Sequence, residues 1–226
     1  RWFIEHAATV SQRNLERIQA RGGGIATQHR MAYQGEYYIR RYGIESARRR
    51  PPLKRMLQMG LPVGAGTDGT RVASYHPWTC LWWMVTSKTV GGTVLHEESD
   101  RLSRTEALRL YTHGSAWFSH EDDQKGTLVA GRLADLAVLS DDYFSVEDDA
   151  IRGIESVLTL VGGQVVHGAH EYADLAPALP PVSPDWSPVA RFGGYDNRQP
   201  APPVFEHTPI MAADGRVWQT GCGCGV

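Results

Sequence analysis

Two histidines and one aspartate stand out because each closes a short apolar run. His6 ends "RWFIEH", His29 ends "GIATQH" and Asp68 ends "LPVGAGTD". The carboxyl ends of parallel strands converge on the active site in α/β folds, so we expect these side chains at one edge of a sheet. Two imidazoles and a carboxylate at such an edge are candidate metal ligands or acid–base groups.

The elements that would hold these residues alternate between strand and helix patterns, which favours parallel strands joined by helices. The patterns predict strands over 2–7, 24–29 and 61–67, and helices over about 11–21 and 51–59. Ser11 is the expected N-cap of the first helix, which stops at a run of glycines. The Arg- and Tyr-rich segment 30–50 is expected to be a long loop, a feature that is often functional.

Beyond Asp68 the pattern becomes helical and then changes to β. Helices are predicted over 77–88 and 102–119, and strands over 125–131, 134–140 and 154–168. Gly162 and Gly163 divide the last of these strands and predict a hairpin. The proline-rich remainder is expected to wrap the surface or to be partly disordered.

The composition of the chain limits the kinds of partner that it is expected to bind. The net charge of -2 gives no bulk attraction to nucleic acid or to an anionic membrane. Apolar runs stay well below the roughly 18 to 20 residues that cross a bilayer, and no signal peptide is visible, which favours a cytoplasmic protein. The chain opens on a strand-like stretch without an initiator Met, so we interpret it as a piece of a longer polypeptide.

Several motifs carry a family resemblance. "RWFIEHAATVS" resembles the sixth barrel strand of the amidohydrolase superfamily, in the branch called amidohydrolase family 3, and "LPVGAGTD" is similar to its eighth strand. "LSRTEALRLYTHGSAWF", "KGTLVAGRLADLAVLS" and "VLTLVGGQVVHG" resemble the helix and the C-terminal strands that follow. The ordered set covers roughly residues 1–170.

The resemblance implies an α/β fold with part of a (β/α)8 TIM barrel, about strands 6 to 8 with their helices, followed by a C-terminal β-sandwich segment. The expected divisions are 1–122 for the barrel part, 123–170 for the sandwich segment and 171–226 for a Pro/Gly-rich extension. Three strands cannot close an eight-stranded barrel. The missing N-terminal part of the same polypeptide is therefore an expected partner, and a homodimer is a further possibility.

The family's chemistry implies a role for each strand-end residue. The resemblance makes Asp68 a metal-site residue and the general base and then acid for a metal-activated water. It makes His6 a ligand of a divalent metal, with zinc as the expected ion and one or two ions in the intact protein. A small-molecule substrate is implied, with His29, Gln34, Arg71 and His76 as the residues expected to contact it.

The departures from the family are as informative. Its first-strand H-x-H, its bridging ligand and its fifth-strand histidine are absent, which leaves too few donors for a metal site in this segment alone. The expected activity is hydrolysis of amide or related C–N bonds by the parent protein, and deamination of a ring is the alternative within the enzyme class. A non-catalytic assembly module or remnant of the fold is the alternative outside it.

Overall fold

The computed structural model describes residues 1–69 and 72–178, and residues 1–177 form one compact unit. Its first sheet consists of β1 (Phe3–Glu5), β2 (Gly24–Gln28) and β3 (Val63–Gly66). The helices are α1 (Gln12–Ala20), α2 (Met31–Tyr42), α3 (Ile44–Ala47), α4 (Leu53–Gln58), α5 (Pro77–Thr86), α6 (Arg104–Arg109) and α7 (Ser115–Phe118). The second sheet consists of β4 (Leu136–Leu139), β5 (Ser156–Val161) and β6 (Gln164–Gly168).

The first sheet is parallel, with β2 between β1 and β3. Ile25 pairs with Ile4 on one side and with Val63 on the other. The sequence prediction of three parallel strands is confirmed. All three strands therefore end at the same edge of the sheet, where the chain continues to His6, His29 and Asp68.

Helices cover the sheet and supply most of the core. The Ser11 side chain caps α1 as predicted, and α1 buries Leu15 and Ile18. Helix α5 is apolar and buries Cys80 and Trp83, among other residues, because it lies inside the unit rather than at its surface. No helix in the described part of the chain is long and apolar enough to cross a membrane.

The segment 30–50 is largely helical, so the prediction of a long loop was wrong. Helix α2 buries only one narrow face, which consists of Met31, Ala32 and Gly35. Gly35 is part of that face because a Cβ there would lie 2.5 Å from the Thr89 side chain. Tyr33 and Tyr38 pack partly against the core, whereas Tyr37, Tyr42 and the arginines of α2 are exposed and hide this short apolar pattern in the sequence.

The predicted helix 102–119 forms with one wider turn inside it. Ser103 and Glu106 make the expected capping box at the start of α6. Between α6 and α7 the turn Leu110–Gly114 is a π-helix. At this turn the backbone closes onto β3, since a Cβ on Gly114 would lie 2.3 Å from the carbonyl oxygen of Val63.

The second sheet is antiparallel, and the predicted hairpin between β5 and β6 is confirmed. Gly162 and Gly163 both have positive φ, which is the backbone of a type I′ hairpin turn. The strand predicted over 125–131 was wrong. Gly126 and Gly131 have φ of 86° and 88°, which turns the chain at both ends of the segment. From residue 179 onward the predicted extension lies outside the described residues.

Strand β1 forms an exposed edge of the parallel sheet. Phe3 is 42% exposed and Ile4 is 41% exposed, whereas Ile25 at the centre of the sheet is fully buried. Within residues 1–69 and 72–178, β1 pairs only with β2. An unpaired apolar edge is a template for pairing with another strand.

We predict that the 226-residue chain self-associates through this edge and that Ile4→Lys reduces the association. A charged side chain on an edge strand disfavours edge-to-edge pairing. Sedimentation velocity at micromolar concentration measures the effect. Val90→Lys is the matched control, because Val90 is an exposed residue of the loop after α5. Equal self-association of both variants would contradict the assignment of this edge.

Candidate functional site

His6 directly follows β1 and Asp68 lies two residues beyond β3, and both adopt left-handed backbone conformations. Their φ angles are 63° and 51°. This conformation is uncommon for residues other than glycine, and such outliers cluster at functional sites. Each residue turns the chain sharply where its strand stops.

These two side chains meet across the end of β2. The Nδ1 atom of His6 is 3.7 Å from Oδ2 of Asp68. The His6 side chain is 51% exposed and that of Asp68 is 39% exposed. This separation is too long for a hydrogen bond, and an ion pair forms only when the imidazole is protonated. The pair therefore presents an imidazole and a carboxylate to solvent, next to one another.

Gln28, the last residue of β2, orients the imidazole. Its Oε1 atom is 2.7 Å from Nδ1 of His6, and its Nε2 atom donates to Oε2 of Glu5 over 3.0 Å. An amide oxygen only accepts hydrogen bonds, so this arrangement puts the imidazole proton on Nδ1 and leaves the Nε2 lone pair of His6 available. Gln28 was missed by the sequence analysis, which singled out the next residue, His29.

Packing beneath β3 fixes the segment that carries Asp68. The Ser115 hydroxyl donates to the carbonyl of Ala65 over 2.8 Å, and the Cys80 thiol lies 3.6 Å from the carbonyl of Gly66. Tyr111 is hydrogen-bonded to the side chain of Thr67, and burial raises the pKa of its phenol. The backbone leading to the carboxylate is thus held by α5 and by the helical segment 104–118.

His29 is enclosed in the core, whereas the His6–Asp68 pair is open to solvent. It is 0% exposed, and neither ring nitrogen has a hydrogen-bond partner among the described residues. Its nearest aromatic neighbour is Tyr33, whose ring meets it edge-on with centroids 5.6 Å apart. Burial lowers the pKa of His29 to about 4, so the ring is neutral at pH 7. The structure does not place it on a surface open to substrate.

Two of the other residues assigned to substrate are described, and each has a contact with a neighbour on its own helix. Gln34 on α2 accepts a hydrogen bond from Nε of Arg30 over 3.1 Å. His76 is half-buried at the start of α5, with Nδ1 3.5 Å from the Thr79 hydroxyl. Burial lowers the pKa of His76, and the nearby carboxylate of Glu155 opposes that shift. Arg71 lies outside the described residues.

The site offers two donors for a divalent metal. The His6 imidazole and the Asp68 carboxylate are the residue types that bind zinc. Across residues 1–69 and 72–178, no cluster of three or more His, Cys, Asp or Glu side chains could hold a metal ion. Catalytic zinc sites use three protein ligands, so this pair fits one part of a metal site and not a whole one.

A model of the amidohydrolase family matches residues 1–167, which include both sheets and the His6–Asp68 pair. The chain belongs to the amidohydrolase family. Among curated relatives, this amidohydrolase chain is 30% identical over 112 residues to the N-substituted formamide deformylase of Arthrobacter pascens. The match covers 50% of the chain and 20% of the deformylase, so the chain spans about a fifth of that relative's length.

Solved structures give the same assignment of fold. The amidohydrolase chain resembles an uncharacterized metal-dependent hydrolase from Pyrococcus horikoshii with a TM-score of 0.55 and 25% identity, over 65% of this chain and 30% of the other. It also resembles an atrazine chlorohydrolase from Arthrobacter aurescens, complexed with zinc, with a TM-score of 0.54 and 22% identity. That match covers 79% of this chain and 37% of the chlorohydrolase and bears on fold alone.

Burial of His29 predicts a specific loss of stability in acid. The pKa is about 4 in the folded chain and 6.5 in the unfolded chain, so the unfolded state binds more protons between these values. The contribution of His29 to the free energy of unfolding is therefore highest above pH 6.5. It falls by about 3 kcal/mol in total as the pH falls from 6.5 towards 4. Urea unfolding of the wild type and of His29→Leu between pH 7 and 4 measures this component.

The variant His29→Leu should lose that part of the pH dependence, because leucine does not titrate. His167→Leu is the control, since it removes an exposed imidazole on β6. An unchanged slope of stability against pH in His29→Leu would show that His29 does not titrate as its burial requires.

Proposed function

We propose that this chain is the C-terminal portion of a metal-dependent amidohydrolase that hydrolyses C–N bonds of amides or related small molecules. The observation that carries the proposal is the His6–Asp68 pair, which joins an imidazole and a carboxylate at the end of a parallel sheet over 3.7 Å. The formamide deformylase supports an amide-like substrate by its name, and the Pyrococcus hydrolase supports a metal.

In this proposal, β1, β2 and β3 are the last three strands of a (β/α)8 barrel, and the second sheet is part of a small β-sandwich. The exposed outer edge of β1 supports the first assignment, because a preceding barrel strand would pair there and cover Phe3 and Ile4. The match covers only 20% of the deformylase, which supports a parent protein longer than this chain. The remaining metal ligands would then come from strands outside this chain.

Asp68 acts as the proton carrier in the proposed reaction. When bound, a divalent ion, for which zinc is our choice, would lower the pKa of a water molecule and polarise the scissile carbonyl. The Asp68 carboxylate accepts a proton from the attacking water and later delivers it to the leaving nitrogen. Its partial exposure and its position beside His6 suit this role, since it can reach a reactant bound at the sheet edge.

His6 would bind the metal through Nε2, and Gln28 would hold the His6 ring in the tautomer and orientation that this needs. The Glu5 carboxylate accepts from the Gln28 amide, and the Gln28 carbonyl accepts the Nδ1 proton of His6. Such a relay fixes the tautomer and the orientation of a ligating imidazole. Gln28 is a positioning residue in this scheme, because it acts through His6.

Substrate contacts of this chain would come from the segment that follows Asp68. His76 and Arg71 are the proposed residues, since both belong to that segment. His29 and Gln34 have weaker support, because His29 is enclosed in the core and Gln34 is bonded to Arg30. A small polar substrate would meet the open space beside Gly66, where a Cβ would find no atom within 4 Å.

Two substitutions in the intact polypeptide separate the proposed roles. Asp68→Asn keeps the shape of the side chain but accepts a proton poorly, so turnover should fall by about 100-fold or more while metal remains bound. His6→Ala removes a ligand, so metal content and turnover should fall together. Metal analysis beside hydrolysis of an N-substituted formamide and of other amides measures both effects.

Asp123→Asn is the matched control, because Asp123 is exposed and distant in sequence from the strand ends. Wild-type turnover in metal-loaded Asp68→Asn would refute the role given to this carboxylate. Full metal content in His6→Ala would refute the role of the imidazole as a ligand. Metal-loaded intact protein that releases an amine from a ring amidine, but not from amides, would favour a deaminase.

Loss of the Gln28 amide should weaken metal binding without removing a ligand. Gln28→Ala should lower metal affinity by about 10-fold to 100-fold, the usual cost of losing such a partner. Competition with a metal chelator measures the affinity, and the nitrogen chemical shifts of the His6 ring report its tautomer. Gln34→Ala should change neither quantity, because Gln34 contacts Arg30 on α2. An unchanged tautomer in Gln28→Ala would contradict the positioning role.

A further inference from the structure

A concave site lies where the chain passes from α3 to α4, and neither His6 nor Asp68 lines it. It is a cavity of about 180 Å³. Its lining is formed by Arg48, Arg49, Pro51, Pro52, Lys54, Arg55, His96 and Asp100. We propose that this basic cavity binds a small oxyanion, either a phosphate or the carboxylates of a small acid. The proposal does not depend on the hydrolase activity proposed above.

The first argument is the balance of charge. Four cationic side chains line the basic cavity, against the single carboxylate of Asp100. Arg48 is paired with Glu45, and Lys54 is paired with Glu106. Within the described residues, Arg49 and Arg55 form no ion pair. Arg55 donates from Nε to the neutral amide oxygen of Gln12 over 3.3 Å, so the charges of both guanidinium groups remain to neutralise an incoming anion.

The second argument is the fixed shape of the wall. Pro51 is buried and Pro52 is half-buried, so this stretch of backbone has restricted φ angles. The His96 ring accepts from the Ser87 hydroxyl at Nδ1 over 2.8 Å and donates from Nε2 to the carbonyl of Arg50 over 3.1 Å. Binding to a wall that is already ordered loses less conformational entropy than binding to a mobile basic loop.

The third argument is the match between donors and ligand. A guanidinium presents parallel N–H groups that fit carboxylate and phosphate oxygens in pairs. Drug-sized ligands occupy pockets of about 300–1,000 Å³. At about 180 Å³, the basic cavity is below that range and favours a small anion over a nucleotide.

The wall of the basic cavity also contacts the segment that follows His6. Arg50, which lies between two lining residues, donates from its guanidinium to the carbonyl of Thr9. Thr9 is three residues beyond His6. An anion held by Arg49 would therefore bind next to a segment of backbone that is bonded to the His6 turn.

Titration calorimetry on the 226-residue chain tests the proposal, with inorganic phosphate in one arm and succinate or citrate in the other. We expect saturable binding in at least one arm, and weaker binding as the ionic strength rises. Arg49→Gln should weaken that binding by about tenfold, because it removes an unpaired charged donor. Arg55→Gln should weaken it in the same direction.

Arg13→Gln is the matched control, since it removes one exposed arginine from α1. Arg49 is exposed, so a thermal melt of Arg49→Gln should match that of the wild type and separate loss of binding from loss of folding. Binding by phosphate alone or by the carboxylates alone supports the proposal and identifies the ligand class. No saturable binding in either arm, or equal weakening by Arg13→Gln and Arg49→Gln, would overturn it.

Discussion

Backbone hydrogen bonds hold three short apolar runs of the chain in one parallel register, and the candidate site depends on that pairing. Glu5 is opposite Ala26, and Gln28 is opposite Gly66, so the outer strands stop on either side of the end of β2. The amide of His6 still bonds to the carbonyl of Ala26. A shift of one residue in either pairing would move the imidazole or the carboxylate to the other face of the sheet.

The residues that the sequence predicted best are those whose position follows from chain direction alone. Parallel strands that alternate with helices must end at one edge, so the placement of His6 and Asp68 at that edge needed no knowledge of side-chain packing. The hairpin at Gly162 and Gly163 was local, because two adjacent glycines with positive φ define the turn.

The features that the sequence missed or predicted wrongly, such as Gln28 and the helical segment 30–50, depend on contacts between distant segments. Gln28 ends β2 and contacts the His6 ring, whereas the next residue, His29, is fully buried. Helix α2, whose short inner face was not recognised, contributes Tyr33 to the surroundings of His29. The prediction of a strand over 125–131 failed for a similar reason, since Gly126 turns the chain where it packs against the backbone between α6 and α7, and a Cβ there would lie 2.8 Å from the Cα of His113.

The candidate site and the basic cavity differ in the kind of constraint that holds them. At the sheet edge, the strand that leads to Asp68 is held by a hydrogen bond from Ser115 to Ala65 and by the close approach of Gly114 to Val63. The wall of the basic cavity is ordered by prolines and by the hydrogen bond from His96 to Arg50. Because Arg50 joins that wall to the backbone after His6, ordering of the cavity and ordering of the His6 turn are physically connected.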